Sequence, residues 1–233
     1  MEQQKMKEAA GKAAVDALVK SGMKLGLGTG STAIHVIYRV GELLREGKLQ
    51  NIRAFPTSFQ SQIACEKLGI PAFALNAPEL GGTLDLCIDG ADEIDRENRL
   101  IKGGGGALLI EKLAAYNSAA YAIVADETKA VENLGLSFPV PVEVIPEARI
   151  PAVLALEKLG ALVQLREAVR KAGPVITEHG NLLLDIRFQE PVNPGTLEAE
   201  LNRIPGVVEN GFFTENRPVA YIARGDGTVE VRA

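Results

Sequence analysis

Long apolar runs are missing from this chain of 233 residues; none approaches the length that a membrane-spanning helix needs. Positive charge is not in excess either. The formal net charge is −5, which argues against a basic face for nucleic acid but leaves room for an anion held by a few local cations. Cysteine is scarce, and Cys65 and Cys87 fit no metal or redox spacing. They read as two buried thiols in a reducing compartment. Histidine is equally scarce, and His35 and His179 lie in segments separate from the acidic residues that a metal site would need. The N-terminal stretch MEQQKMKEAAGKAAVDALVK is charged and amphipathic, without the uninterrupted apolar core of a signal peptide. A cytoplasmic protein is therefore expected, with 46% hydrophobic residues to build its core.

What is present is an alternation of strands and helices. A helix is expected over 3–21, a strand over 23–27, and helical periodicity over 33–44. Between the last two lies GLGTGST, Gly26–Thr32. A glycine turn between strand and helix aims backbone N–H groups and a helix N-terminus at one point, which suits an anion. Thr29, Ser31 and Thr32 add hydroxyl groups. A dinucleotide fingerprint would have glycine where Ser31 stands and an acid after the next strand, at 52–55; Pro56-Thr57-Ser58 follows instead. The Gly-Lys-Ser/Thr of a nucleotide-binding P-loop is absent too. A small phosphate ester fits better, although a plain tight turn would read the same way.

Further along, a helix is expected over 58–68, strands over 72–75 and 84–88, a helix over 106–119 and a buried strand over 121–125. This spacing predicts a parallel α/β sheet, with function at the carboxyl ends of its strands. Three polar loops follow such ends: the glycine turn, the acids after Ile88, and Asp126-Glu127-Thr128-Lys129. Beyond Lys129 the order becomes strand 138–144, helix 146–159, strands 161–165 and 181–188, helix 194–203 and strand 206–209. That is the β-α-β-β-α-β order of a ferredoxin-like unit. Strands are expected again over 212–223 and 228–231. The expected architecture is thus a Rossmann-like parallel-sheet domain, 1–134 plus 210–233, with a small α+β domain inserted at 135–209.

The most unusual stretch is Asp85–Lys112, DLCIDGADEIDRENRLIKGGGGALLIEK. It sets Asp89, Asp92, Glu93 and Asp95 close together, then Lys102, four consecutive glycines at 103–106, and Glu111. Each glycine costs backbone entropy on folding, so four in a row imply that something approaches the backbone closely. An EF-hand-type metal loop fails because Ala91 occupies a required ligand position. Two readings stay open. Asp89-Gly90 and Asp92 could form an ordinary turn, with Glu111-Lys112 on a solvated helix surface; Glu111 lies about 200° around the helix from Leu109 at ~3.6 residues per turn. Alternatively, several carboxylates in one pocket could share acid–base work, while a lysine and glycine N–H groups stabilise an oxyanion. A phosphate held at the glycine turn would anchor the substrate for that chemistry.

GLGTGSTA, IDGADEID and KGGGGALLIEK, in that order and at those separations, closely resemble the A-type ribose-5-phosphate isomerases, as do DETK at 126–129 and PVEVIP at 141–146. The resemblance covers essentially the whole chain. It implies an aldose–ketose isomerase of the non-oxidative pentose phosphate branch, with no metal and no organic cofactor, and a homodimer or dimer of dimers. By that resemblance Glu111 would move the proton between C2 and C1, and Asp89 would assist ring opening and proton traffic between the sugar oxygens. Lys102 and the amides of Gly103, Gly104 and Gly105 would hold the enediolate oxygen, with Asp92 orienting Lys102. Thr29, Gly30, Ser31 and Thr32 would bind substrate near its phosphate, Lys129 and Lys7 would add positive charge there, and Gly90 and Ala91 would line the site. The segment Thr57-Ser58-Phe59-Gln60-Ser61 receives no role. A sugar-phosphate sensor of similar fold would be expected to carry a basic recognition helix, and an amino-sugar-phosphate deaminase a catalytic histidine; neither feature is evident.

Overall fold

The run Tyr121–Asp126 is buried throughout, as expected of a strand covered on both faces in a parallel sheet. It is the axis of the larger sheet in the computed structural model, which describes residues 2–233. The first half of the chain forms α1 (Gln3–Leu18), β1 (Lys24–Leu27), α2 (Ala33–Arg45), β2 (Arg53–Pro56), α3 (Phe59–Leu68), β3 (Leu84–Asp89), β4 (Glu93–Ile94), β5 (Leu100–Ile101), α4 (Leu108–Tyr116) and β6 (Ser118–Asp126). The second half forms β7 (Val140–Val144), α5 (Arg149–Lys158), β8 (Leu162–Leu165), β9 (Leu182–Arg187), α6 (Pro194–Leu201), β10 (Val207–Asn210), β11 (Phe212–Phe213), β12 (Val219–Ala223) and β13 (Val229–Arg232).

These elements make two compact units. The first contains the chain through Ala91, Ile110–Lys129 and Asn216–Ala233; the second contains Asp92–Leu109 and Ala130–Glu215. In the first unit a six-stranded sheet has the order β13-β12-β6-β3-β1-β2. All its pairings are parallel except that of β13, which runs antiparallel at the edge. Its core joins Leu25 and Leu27 of β1, Ile88 of β3 and Val124 of β6 to Ala10, Ala14, Val36, Ile37 and Val40 on α1 and α2. Burying each of the larger of these side chains contributes roughly 1.5–3 kcal/mol. Gly11 lets α1 approach α2, because a Cβ there would stand 3.0 Å from that of His35.

The second unit has an antiparallel sheet of order β10-β7-β9-β8, with β7, β8, β9 and β10 interleaved with α5 and α6 in the β-α-β-β-α-β order. Val142, Leu184, Ile186, Ala152, Leu156 and Leu201 form its core. A further three-stranded sheet, β11-β5-β4, also belongs to this unit.

Three expectations need correction. Residues 72–75 contribute one bridge, Ala54 to Ala72, and not a strand; the chain turns away where the Ala77 amide donates to the Ala74 carbonyl. The stretch 212–223 is two strands, because β11 pairs with β5 and β12 with β6. The β4–β5 hairpin was not expected at all, each strand being only two residues long. Among the described residues no helix is long and apolar enough to cross a membrane.

Candidate active site

In the first unit the sheet order reverses at β1, which has β2 on one side and β3 on the other. Loops leaving the carboxyl ends of two such strands diverge and open a crevice, the usual ligand position in open α/β sheets. The glycine turn follows β1, and Asp89 is the last residue of β3. Asp89 is fully buried. Its Oδ1 accepts the Thr29 amide at 3.0 Å and the Gly90 amide at 2.7 Å. Glycine is required at position 28, since a Cβ there would lie 1.9 Å from Asp89 Oδ1. Gly30 adopts φ +113°, a backbone conformation that side chains disfavour, and its amide donates to Gln60 Oε1 at 2.9 Å.

Lys7 Nζ donates to Ser31 Oγ at 2.9 Å, so an ammonium from α1 reaches the turn. Thr32 is buried at the N-terminus of α2. Lys129 is half-buried at the end of a short 3₁₀ turn after β6, with Asp126 accepting the Thr128 amide just before it. A cation beside a helix N-terminus and several hydroxyls suits a phosphate ester. Thr29 Oγ1 lies 2.7 Å from Thr57 Oγ1 and 2.6 Å from Ser58 Oγ. Thr57, Ser58 and Gln60, to which the sequence reading gave no role, therefore support the turn. Their signals were the β2 end at Pro56 and the Ser58/Ser61 capping box that starts α3.

Glu111 is 4% exposed, and Lys112 is buried beside it. This excludes the solvated-surface reading of both. Helical periodicity predicts an outward position only where nothing covers that face. Tyr121 pairs in register with Cys87, and Asp89 with Ile123, so these four residues share one face of the sheet. The Tyr121 hydroxyl is buried and has no hydrogen-bond partner among the described residues. Burial pushes its pKa well above the ordinary phenol range, and Asp89, Cys87, Glu111 and Tyr116 raise it further. Asp89 and Glu111 thus act electrostatically on one phenol.

In the second unit the acidic cluster divides into different tasks. Glu93 is buried and accepts the amides of Gly135 and Phe138, each at 2.7 Å. Burial raises its pKa while those amides pull it down. Asp95 accepts the Glu97 and Arg99 amides and the Arg99 side chain, closing the β4–β5 hairpin. Both are structural anchors. Asp92 instead accepts the Gly104 amide at 2.7 Å, and a Cβ at Gly104 would reach 2.6 Å from its Oδ1.

Lys102 is 2% exposed. Its backbone is fixed by a bond from its amide to the Gly211 carbonyl, and its Nζ lies 5.7 Å from the centre of the Phe213 ring, within range of a cation–π contact. Gly103 is buried, whereas Gly104 and Gly105 are exposed. Arg166 Nη1 donates to the carbonyls of Gly103 at 3.0 Å and Gly104 at 3.2 Å. No sequence motif marked Arg166.

The first unit therefore brings together Lys7, Thr29, Gly30, Ser31, Thr32, Asp89, Gly90 and Glu111, with Lys129 at the same sheet edge and Ala91 half-buried at the unit's boundary. The second unit gathers Asp92, Lys102, Gly103, Gly104 and Gly105. Among the described residues no three His, Cys, Asp or Glu side chains gather as a metal site. The first unit thus holds the buried carboxylates Asp89 and Glu111, and the second a buried lysine beside exposed glycines; groups of these kinds can serve proton transfer beside a carbonyl.

Residues 53–227 match the family described as ribose 5-phosphate isomerase A (phosphoriboisomerase A). The chain is 51% identical to ribose-5-phosphate isomerase A of Treponema denticola, over 99% of both chains. Among solved structures, ribose 5-phosphate isomerase A from Methanocaldococcus jannaschii aligns with TM-score 0.92 and 40% identity over 99% of each chain. A D-ribose-5-phosphate isomerase in complex with phospho-erythronic acid aligns with TM-score 0.94 and 38% identity, over 100% of this chain and 99% of that one.

The close approach at Gly28 can be tested directly. Gly28→Ala must push β1 and β3 apart at their ends, and such overpacking should cost about 1–3 kcal/mol. Urea unfolding of the variant should show it; a midpoint equal to the wild type would mean that the Gly28–Asp89 contact constrains nothing.

Proposed function

The chain belongs to the ribose 5-phosphate isomerase A family, aldose–ketose isomerases that interconvert ribose 5-phosphate and ribulose 5-phosphate, and we propose that Glu111 carries the proton this reaction moves. The open-chain aldose has an aldehyde at C1 and a hydroxyl at C2. Glu111 removes the C2 proton, the bonding pair becomes the C1–C2 double bond, and O1 takes the negative charge. The same carboxyl returns the proton to C1, while the O2 proton passes to O1. Nothing is oxidised or reduced overall.

The burial of Glu111 carries this reading. A carboxylate withdrawn from water is a stronger base towards a carbon acid than a solvated one, because ionisation is not stabilised by solvent. Asp89, which acts on the same Tyr121 phenol, assists ring opening and the traffic between O1 and O2. Its Oδ1 is occupied by two amides, so Oδ2 is the atom assigned to that work. Lys102, together with the amides of Gly103 and Gly105, faces the oxygen that becomes negative; the Gly104 amide, expected to join them, is taken by Asp92. Asp92 helps to orient Lys102 and, by accepting the Gly104 amide, holds the loop as well. Gly90 and Ala91 border the sugar. Thr29, Gly30, Ser31 and Thr32 bind near the phosphate, where Lys7 and Lys129 supply positive charge.

We further place the enzyme in the cytoplasm, in the non-oxidative branch of the pentose phosphate pathway, as a metal-independent homodimer or dimer of dimers. The resemblance of its motifs to the family supports this. Sedimentation combined with turnover in EDTA tests it. A monomer would overturn the oligomeric state, and turnover lost in EDTA and restored by a divalent ion would overturn metal independence.

Glu111→Gln keeps the shape of the side chain and removes the base. Its kcat with ribose 5-phosphate should fall by about 10³-fold, within the usual span of general acid–base catalysis; near wild-type turnover would refute the role. Lys129→Ala should raise KM about ten-fold, the scale of a lost charge-assisted hydrogen bond, with kcat little changed. A fall in kcat alone would contradict a pure phosphate anchor.

A further inference from the structure

The loop Lys102–Gly106 presents a physical difficulty. Oxyanion stabilisation works when the N–H dipoles are fixed before charge develops, yet consecutive glycines are the most pliable backbone available. Something must hold the loop from outside. Asp92 grips it at one amide, accepting from Gly104 at 2.7 Å, and the Gly106 amide closes a turn onto the Gly103 carbonyl at 2.9 Å. On the carbonyl side stands Arg166. Its Nη1 donates to Gly103 at 3.0 Å and to Gly104 at 3.2 Å. The other edge of the guanidinium is committed to Asp185, Nε at 2.8 Å and Nη2 to the second carboxylate oxygen. Arg166 extends from the end of β8 and Asp185 lies on β9, where it pairs with Gln164. The clamp therefore stands on the rigid antiparallel sheet.

A trans peptide unit is planar, with its carbonyl and its N–H pointing in opposite directions. The Gly103 carbonyl shares its peptide with the Gly104 amide, and the Gly104 carbonyl shares its peptide with the Gly105 amide. Holding both carbonyls from one side aims both amides to the other. The Gly104 amide points to Asp92, consistent with this constraint. Gly105 is exposed, so its peptide stands where a substrate can reach it. A cation bonded to the carbonyl also polarises the peptide and strengthens its N–H as a donor.

We propose that Arg166, locked by Asp185, is a positioning residue for the isomerisation: its fork holds the Gly103 and Gly104 carbonyls so that the Gly105 amide is aimed at the oxygen that becomes negative. This rests on the isomerase reading above. Lysine in its place keeps the charge but cannot hold a carboxylate and two carbonyls in one plane.

The test measures kcat and KM for ribose 5-phosphate, with thermal midpoints, on wild type, Arg166→Lys and Asp185→Asn. Arg166→Lys should lower kcat by about ten- to a hundred-fold, below the loss from deleting an oxyanion donor outright, and change KM less than three-fold. Asp185→Asn, which leaves the guanidinium in place but loosens it, should fall between. Amide hydrogen exchange in the peptide covering 103–106 should quicken in both variants. A folded Arg166→Lys with kcat within two-fold of wild type, or a loss carried by KM alone, overturns the proposal. If Arg166→Lys does not fold, Asp185→Asn decides by the same criteria. Wild-type protein without isomerase activity would instead sink the isomerase reading, so the two failures are distinguishable.

Discussion

The carboxylate of Asp89 is the tie on which the first unit's site depends. One of its oxygens takes the amides of Thr29 and Gly90, joining the end of β3 to the turn leaving β1. A buried carboxylate is tolerable only when hydrogen-bonded, and here the bonds also fix where the glycine turn lies. The absence of a side chain at Gly28 makes the approach possible. From this tie the turn passes to Thr57, Ser58 and Gln60 on one side and to Lys7 on the other. The glycine turn is thus held in a small hydrogen-bonded lattice and is not a lone helix end. Its order follows from the parallel strands of the sheet, whose carboxyl-end loops leave from one edge.

The second unit meets the opposite demand. Its loop is flexible by glycine composition and made rigid by side chains from elsewhere. Asp92 takes an amide and Arg166 takes two carbonyls. The small sheet of β4, β5 and β11 holds the backbone of Lys102 through Gly211. Glu93 and Asp95 do comparable work, one anchoring the segment around Gly135–Phe138 and the other closing the hairpin. Neighbouring acids in one stretch therefore serve different ends: Asp89 ties the glycine turn, Asp92 holds the glycine loop, Glu93 lies in the core and Asp95 closes a turn.

Sequence alone determined much of this protein. Period-two and period-3.6 patterns located the parallel strands and the β-α-β-β-α-β order, because local backbone geometry imposes those periods on apolar residues. Glycine and aspartate at fixed spacing located the glycine turn after β1 and the loop held by Asp92, because such backbone positions tolerate few residue types. Tertiary structure decided what no local pattern encodes. The hairpin β4–β5 is two residues per strand, too short to have a period. The strand expected at 72–75 shrank to one bridge because its neighbours turn it away. Glu111 lies where the helix pattern predicts solvent, yet it is 4% exposed, because burial depends on what packs against a face and not on the face alone. Arg166 sits about sixty residues from the glycines it holds; only the fold of the sheet beneath it sets that distance to a hydrogen bond.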